Sequence, residues 1–432
     1  MSVRRFTRRE MIATSTAAAL AAQTYERPNI VFIMADDLGY ADVSCYGRRD
    51  YRTPNIDRLA AEGVRFTQAY ANSAVCSATR TALITGRYQY RLPIGLEEPL
   101  ATMDRRNLGL PPKHPTLPSL LHKAGYETAL IGKWHLGRLP DYGPLQSGYD
   151  RFWGFRGPSL DYFTHRDGPR GTGAEDLWDD DHPVRQNGYL TDLLGDRAVE
   201  TIRKAAAVRK PFFLSLHFNA PHWPWEGVED EAEAQRLKSL THFDGGSMKT
   251  YAGMVTRMDY QIGRVLDALS TGGIARNTIV VFTSDNGGER FSDTWPFTGK
   301  KSELLEGGLR IPAIVRWPAG VPAGREAEQV AISMDWLPTL LAAVRTQPDP
   351  AYLPDGISLL PALMGSAAPV ARKLFWRYRF RAQRAMRYGS MKWLEIDGNR
   401  FLFDLAADPL ERANLKERQP ELFHRLSEEY DR

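Results

Sequence analysis

Four runs of apolar, β-type residues in this chain each stop at a residue that can do chemistry, and helical periodicity fills the stretches between them. Asn29–Ala35 reads Asn-Ile-Val-Phe-Ile-Met-Ala and stops at Asp36 and Asp37. The run 127–132 stops at Lys133, with His135 two residues on. The run 211–218 is followed by His222, and Thr278–Ser284 stops at Asp285 and Asn286. Unbroken apolar runs are the pattern of strands covered on both faces, as in a parallel sheet with helices on each side. In such a sheet ligands bind outside the carboxyl ends of the strands. Carboxylates, a lysine and histidines at four such ends predict one polar site along one edge.

The helical stretches read as core. Residues 189–202 set Leu190, Leu193, Leu194, Ala198 and Ile202 on one face, and 248–269 do the same with Tyr251, Val255, Met258, Ile262, Val265, Leu266 and Leu269. A shorter helix is expected over 55–63. Residues 141–181 are rich in Gly, Pro, Asp and aromatics without either period, which predicts long surface loops overhanging the strand ends. After about residue 365, short runs at 374–380, 385–388, 392–396 and 401–405 predict an antiparallel sheet, closed by an amphipathic helix near 418–431. The expected fold is therefore α/β: a large, mostly parallel central sheet flanked by helices on both faces, with a smaller C-terminal antiparallel sheet packed on it. The expected division is a leader over 1–24, the main α/β domain over 28–364 and the small sheet over 365–432.

Charge excludes one class of partner. The formal charge is +4, and residues 1–22 hold Arg4, Arg5, Arg8 and Arg9 against Glu10, so the rest is nearly neutral. No basic stripe remains to bind nucleic acid. Arg8 and Arg9, followed by Met11, Ile12 and an alanine-rich run, resemble a twin-arginine signal, which implies export to the periplasm or beyond; a basic tail is the alternative. That run is too short to span a bilayer, and no other stretch approaches a span, so the chain is read as no integral membrane protein. Of the two cysteines, Cys45 reads as a small packed residue, with a Cys45–Cys76 bridge as the alternative.

Asp36, Asp37, Asp285 and Asn286 are hard oxygen donors and favour a calcium- or magnesium-like ion over zinc. Taken alone, Asp36 and Asp37 also fit a cap or a solvated turn. Cys76 opens a segment in which small polar residues lead into an apolar helix, so it falls near a helix N-terminus, where an anion is favoured, with Arg80 one turn on. Taken alone, Cys76 also fits an inert buried thiol.

The segment Cys76-Ser77-Ala78-Thr79-Arg80 resembles the signature of the formylglycine-dependent sulfatases, which are arylsulfatase-like members of the alkaline phosphatase superfamily. Residues 29–39, 132–137, 220–222, 284–288 and 299–312 resemble other motifs of that family in the same order, as does the run near 403–409. Ala78 stands where the commonest form of the signature has proline. The resemblance implies a sulfuric ester hydrolase with Ca2+ (Mg2+ as the alternative) held by Asp36, Asp37, Cys76, Asp285 and Asn286. It further implies a formylglycine made from Cys76 by a maturation enzyme, and a sulfated small molecule or glycan as substrate. Arg80 would hold the hydrated aldehyde, and Asp285 would take the proton of the attacking hydroxyl. Lys133, His222 and Lys301 would surround the sulfate, with His222 or Lys301 protonating the leaving oxygen. His135 would take the proton that lets sulfate leave. Lys300 is the rival to Lys301. The same residues suit phosphonate monoesters or phosphodiesters, and a non-catalytic binding protein is the reading from another class. Trp153, Trp223, Trp225 and Trp295 are candidates to stack on a substrate ring, and Arg290 to read an extra anionic group or to sit as a solvated loop charge.

Overall fold

The computed structural model describes residues 27–100, 107–167, 173–236 and 245–432. The expected leader over 1–24 lies outside the described residues. The strands in chain order are β1 (Asn29–Ala35), β2 (Val64–Phe66), β3 (Ala69–Tyr70), β4 (Glu127–Lys133), β5 (Arg151–Phe155), β6 (Trp178–Asp179), β7 (His182–Pro183), β8 (Phe212–His217), β9 (Thr278–Ser284), β10 (Ala313–Arg316), β11 (Arg325–Ala327), β12 (Ala331–Ile332), β13 (Lys373–Tyr378), β14 (Gln383–Tyr388), β15 (Met391–Ile396) and β16 (Asn399–Asp404). The main sheet runs β11-β2-β10-β9-β1-β8-β4-β5-β6-β7. Its centre, β9-β1-β8-β4-β5, is parallel throughout, and β10 and β6 join it antiparallel on either side.

β1 shows why the central runs are apolar without alternation. Val31, Ile33 and Ala35 pack with the helices Leu190–Val208 and Met248–Thr271 on one face, and Ile30, Phe32 and Met34 pack with Leu120, Leu121, Trp336 and Leu340 on the other. Both faces of the strand are covered, so every side chain must be apolar.

Residues 141–181 depart from the loop expectation. Arg151–Phe155 enters the main sheet parallel to β4, and its neighbours supply β6 and β7. The strand escapes a periodicity reading because Gly154 replaces a β-former where the backbones crowd: a Cβ there would meet the Gly132 carbonyl oxygen at 2.1 Å. The remainder does overhang the strand ends, since the Tyr162 hydroxyl lies on the carbonyls of Asn219 and His222 at 3.1 and 2.9 Å.

The small sheet is β13-β14-β15-β16, antiparallel throughout, with the helix Pro420–Asp431 against one face. Its other face, through Leu374, Trp376, Ala385 and Leu394, packs on Val75, Ala78 and Ala82. The helix Cys76–Thr85 is thereby enclosed between the two sheets, and all ten of its residues are buried. It starts where Val75 is extended and stops at Gly86, left-handed at φ 67°, whose N–H donates to the Ala82 carbonyl at 2.8 Å.

A second tie between the sheets is ionic. Glu306 accepts from Tyr70, from Arg310 at 2.6 Å and from Lys392 at 3.0 Å, and Lys392 also pairs with Glu411 at 2.8 Å. Lys392 and Glu306 are fully buried. Burial raises the Glu411 carboxyl, which Lys392 only partly offsets, so it stands at about 7. Replacing Lys392 with Met leaves two buried carboxylates without their shared cation; a loss of about 3–5 kcal/mol is expected in urea denaturation, as for other broken buried pairs. A carboxyl raised in the folded state stabilises most below its unfolded value and loses that contribution as pH climbs through about 7. Glu411→Gln should therefore flatten the fall in melting temperature between about pH 5 and pH 8, and an unchanged slope would show that Glu411 does not titrate there.

Candidate active site

The four strand ends converge. Asp36 and Asp37 leave β1, Lys133 ends β4, and Asp285 and Asn286 leave β9. Lys133 Nζ donates to Asp36 Oδ2 at 2.5 Å, and Arg80 Nε donates to Asp285 Oδ2 at 3.0 Å. Asp37 Oδ2 accepts from Lys301 Nζ at 2.6 Å and lies 3.5 Å from His222 Nε2, while Asp37 Oδ1 accepts from Asn286 Nδ2 at 2.8 Å. A carboxylate oxygen from each of Asp36 and Asp285 and the Cys76 sulfur lie within 4.8 Å of one another, and so do the ligand atoms of Asp36, Asp37 and His222. Cys76 is the first residue of its helix, at the end where free N–H groups favour an anion.

The backbone is bent to make this convergence. Asp37, His135 and Ser302 hold left-handed φ of 62°, 57° and 70°, a cost that non-glycine residues sustain where the surroundings impose it. Gly287 is required for a different reason: a Cβ there would meet the Gly307 carbonyl oxygen at 2.0 Å. The segments Asn286-Gly287-Gly288 and Glu306-Gly307-Gly308 are thus in backbone contact.

Electrostatics divide the roles. Burial, and then repulsion from Asp285, push the Asp36 carboxyl well above its usual range despite Lys133 and Arg80. Burial acts the same way on Asp37, but Lys301, His222 and Asn286 overcome it and hold that carboxyl low. Burial, with Lys133 and Lys301 respectively as the next cause, lowers His135 and His222 well below the usual imidazole range, so both are neutral at pH 7. His135 Nε2 faces the Leu100 carbonyl at 2.8 Å, which can only accept, so Nε2 carries the proton and Nδ1 the lone pair. That Nδ1 is buried without a hydrogen-bond partner among the described residues. His222 Nδ1 donates to the Trp223 carbonyl at 2.6 Å, which leaves Nε2 as the atom for a second proton. Burial raises the Cys76 thiol, so at neutral pH it is no thiolate nucleophile.

A divalent cation fits this donor set. Asp36 Oδ1 and Asn286 Oδ1 are buried and have no hydrogen-bond partner among the described residues, beside two further carboxylates. Buried oxygens left unpaired cost free energy that a cation at their meeting point removes, and oxygen donors without thiolate suit a hard ion.

The Sulfatase family model matches residues 28–346. This chain belongs to the sulfatase family. N-acetylgalactosamine-6-sulfatase of Canis lupus familiaris is 33% identical to it, over 83% of this chain and 70% of that protein. Arylsulfatase A of Homo sapiens is 31% identical, over 93% of this chain and 82% of that protein. The crystal structure of Ps i-CgsB in complex with k-i-k-neocarrahexaose superposes with a TM-score of 0.83 at 31% identity, covering 94% of this chain and 92% of that one. The protein is a sulfuric ester hydrolase.

Other sequence expectations divide. Lys301 reaches Asp37, whereas Lys300 is exposed and its backbone N–H bonds Glu303. Both cysteines are free, which removes the disulfide alternative. Trp153 is buried beneath Arg197 and Trp225 is buried against Phe291, so neither is a rim residue; Trp223 lies on His222 at 4.6 Å, and Trp295 is 65% exposed. Arg290 lies over the rings of Phe291 and Trp225. Sequence reading missed His217, the last residue of β8. Its Nδ1 lies 3.2 Å from the Lys133 carbonyl and 3.4 Å from Arg80 Nη1, and a lone histidine inside an apolar strand carries no signal of that contact. Calcium or magnesium is expected to raise the melting temperature of the sulfatase with concentration. Asp36→Asn should raise the half-saturating concentration by about tenfold or more, a loss known even for outer-shell changes. Identical melting curves with and without either ion would remove the ion site.

Proposed function

We propose that this sulfatase cleaves sulfate monoesters of carbohydrates or aryl alcohols, with a formylglycine derived from Cys76 as nucleophile and Ca2+ as the ion. The observation that supports it most is the setting of Cys76: first in a helix, against Asp36 and Asp285, with a thiol whose ionisation burial opposes. As a thiol it has little use there. Its aldehyde, when hydrated, supplies one hydroxyl to attack sulfur and a second from which sulfate can be released. Asp36, Asp37, Asp285 and Asn286 would hold the ion, which would supply Lewis acidity at the site.

The chain's own groups do the rest. Asp285, kept in place by Arg80, accepts the proton of the attacking hydroxyl. Lys133 and Lys301 set positive charge where the equatorial oxygens gain negative charge. Lys301 Nζ gives a proton to the departing oxygen, since neutral His222 keeps its ring proton on Nδ1, and His135 Nδ1, whose lone pair has no partner among the described residues, takes the proton that frees sulfate. A glycan substrate is favoured by the name of the N-acetylgalactosamine-6-sulfatase and by the oligosaccharide bound to Ps i-CgsB. The periplasm, reached by a twin-arginine route, is the compartment proposed from residues 8–22.

Peptide mapping across residues 75–80, after co-expression with a formylglycine-generating enzyme, should find a loss of about 18 mass units at Cys76. Cys76→Ala should abolish turnover and leave the melting temperature within about 4 °C of wild type. Turnover that survives the substitution overturns the reading. An aryl phosphonate monoester cleaved faster than an aryl sulfate would move the activity to the phosphonate alternative.

A further inference from the structure

The turn between β13 and β14 is held by the same two segments that hold Lys301 and His135. On one side, the Tyr378 phenol hydrogen-bonds Ser302 and lies in the field of Lys301 and Cys76. Gln383 Nε2 donates to the carbonyls of Ser302 at 2.9 Å and Phe380 at 3.1 Å, and Gln383 Oε1 accepts from the Leu304 N–H at 2.8 Å. On the other side, the Arg379 N–H donates to Glu98 Oε2 at 2.6 Å. Glu98 stands two residues before Leu100, whose carbonyl fixes His135. The turn is therefore continuous with the active site along both edges.

What this turn presents is unusual for a structural connection. Arg381 and Ala382 hold consecutive left-handed φ of 59° and 45°, and neither is glycine. Strain of this kind persists where the fold imposes it, often at ligand-binding positions. Phe380 is 63% exposed, its ring meeting that of Tyr378 at 6.4 Å. The neighbouring arginines are engaged: Arg381 pairs with Asp397 at 2.8 Å, Arg384 with Glu395 at 2.8 Å, and Arg377 approaches Glu98 at 4.0 Å. Arg379 is exposed and its side chain has no ion pair among the described residues.

An exposed aromatic body beside a guanidinium that makes no ion pair among the described residues and lies only in the field of Glu98, at the edge of a sulfate-ester site, matches one chemistry. The ring offers an apolar face to the C–H face of a pyranose, and the guanidinium offers paired donors to an oxyanion. We infer that Arg379 and Phe380 form a subsite for the sugar next to the one bearing the scissile sulfate, Phe380 taking its ring and Arg379 an anionic group on it. The inference rests on the function proposed above and narrows its substrate class to multiply charged oligo- or polysaccharides.

The test compares full-length matured enzyme with Arg379→Ala and Phe380→Ala on nitrophenyl sulfate and on carrageenan and chondroitin sulfate tetrasaccharides. Wild type should prefer at least one tetrasaccharide to nitrophenyl sulfate. Each substitution should raise KM for that tetrasaccharide by about tenfold, the order expected for a lost charged hydrogen bond or a lost stacking face. Rates on nitrophenyl sulfate should stay within about twofold, and about 0.5 M NaCl should shrink the Arg379 effect by screening. Equal losses on both substrate types, no loss on either, or no tetrasaccharide preferred would overturn the subsite. Calorimetric binding of the same tetrasaccharides to Cys76→Ala, with and without Arg379→Ala, separates the two claims. Weaker binding in the double variant supports the subsite even if no sulfate is released from any substrate, an outcome that would defeat the proposed function alone.

Discussion

Asp36, Asp37 and Asp285 are buried at the ends of two adjacent strands, and their mutual repulsion has to be balanced before the sheet can close there. Lys133, Arg80 and Lys301 do this, each reaching in from a different element. The balance is incomplete at Asp36, where burial and Asp285 outweigh the cations and raise the carboxyl. That residual would favour a divalent cation at the point where oxygen donors converge and one carboxylate resists its own charge. On the proposed mechanism, the cations that hold the carboxylates apart from one another are also those that would surround a sulfate, so structural compensation and substrate recognition would be one arrangement read in two states of occupancy.

The second buried ionic cluster has a different purpose. Glu306 opens the Glu306-Gly307-Gly308 stretch, inside the 299–312 motif. In the fold its carboxylate joins Arg310 and Tyr70 of the main body to Lys392 of the small sheet. Gly307, in contact with Gly287, brings that anchor against the Asp285-Asn286 loop. The position of the small sheet is thereby tied to the Asp285-Asn286 loop through a few residues, which brings a turn on that sheet near the candidate active site.

The parallel centre of the fold was readable because each of its strands is covered on both faces and so has to be apolar along its whole length. The edges were not. β2, β10 and β11 have three or four residues each, too few for a period, and their pairing is decided by distant segments. β5 was hidden by a glycine needed for backbone contact with Gly132. The site residues were legible as types at strand ends, whereas the left-handed turns at Asp37 and His135 that aim them were not, since no glycine marks them. Aromatic residues misled most: nothing in composition separates Trp153, packed under Arg197, from Phe380, which stands in solvent.

Enclosure of the helix Cys76–Thr85 also orders events in time. Cys76 is 2% exposed, with the main sheet on one side and the small sheet covering Val75, Ala78 and Ala82 on the other. The folded chain leaves no residue from Val75 to Arg80 open to another protein. On the function proposed above, conversion to the aldehyde would have to precede docking of the small sheet, while residues 75–80 are still accessible. Export by the twin-arginine route proposed above, after folding, would then deliver the modified residue sealed inside its helix.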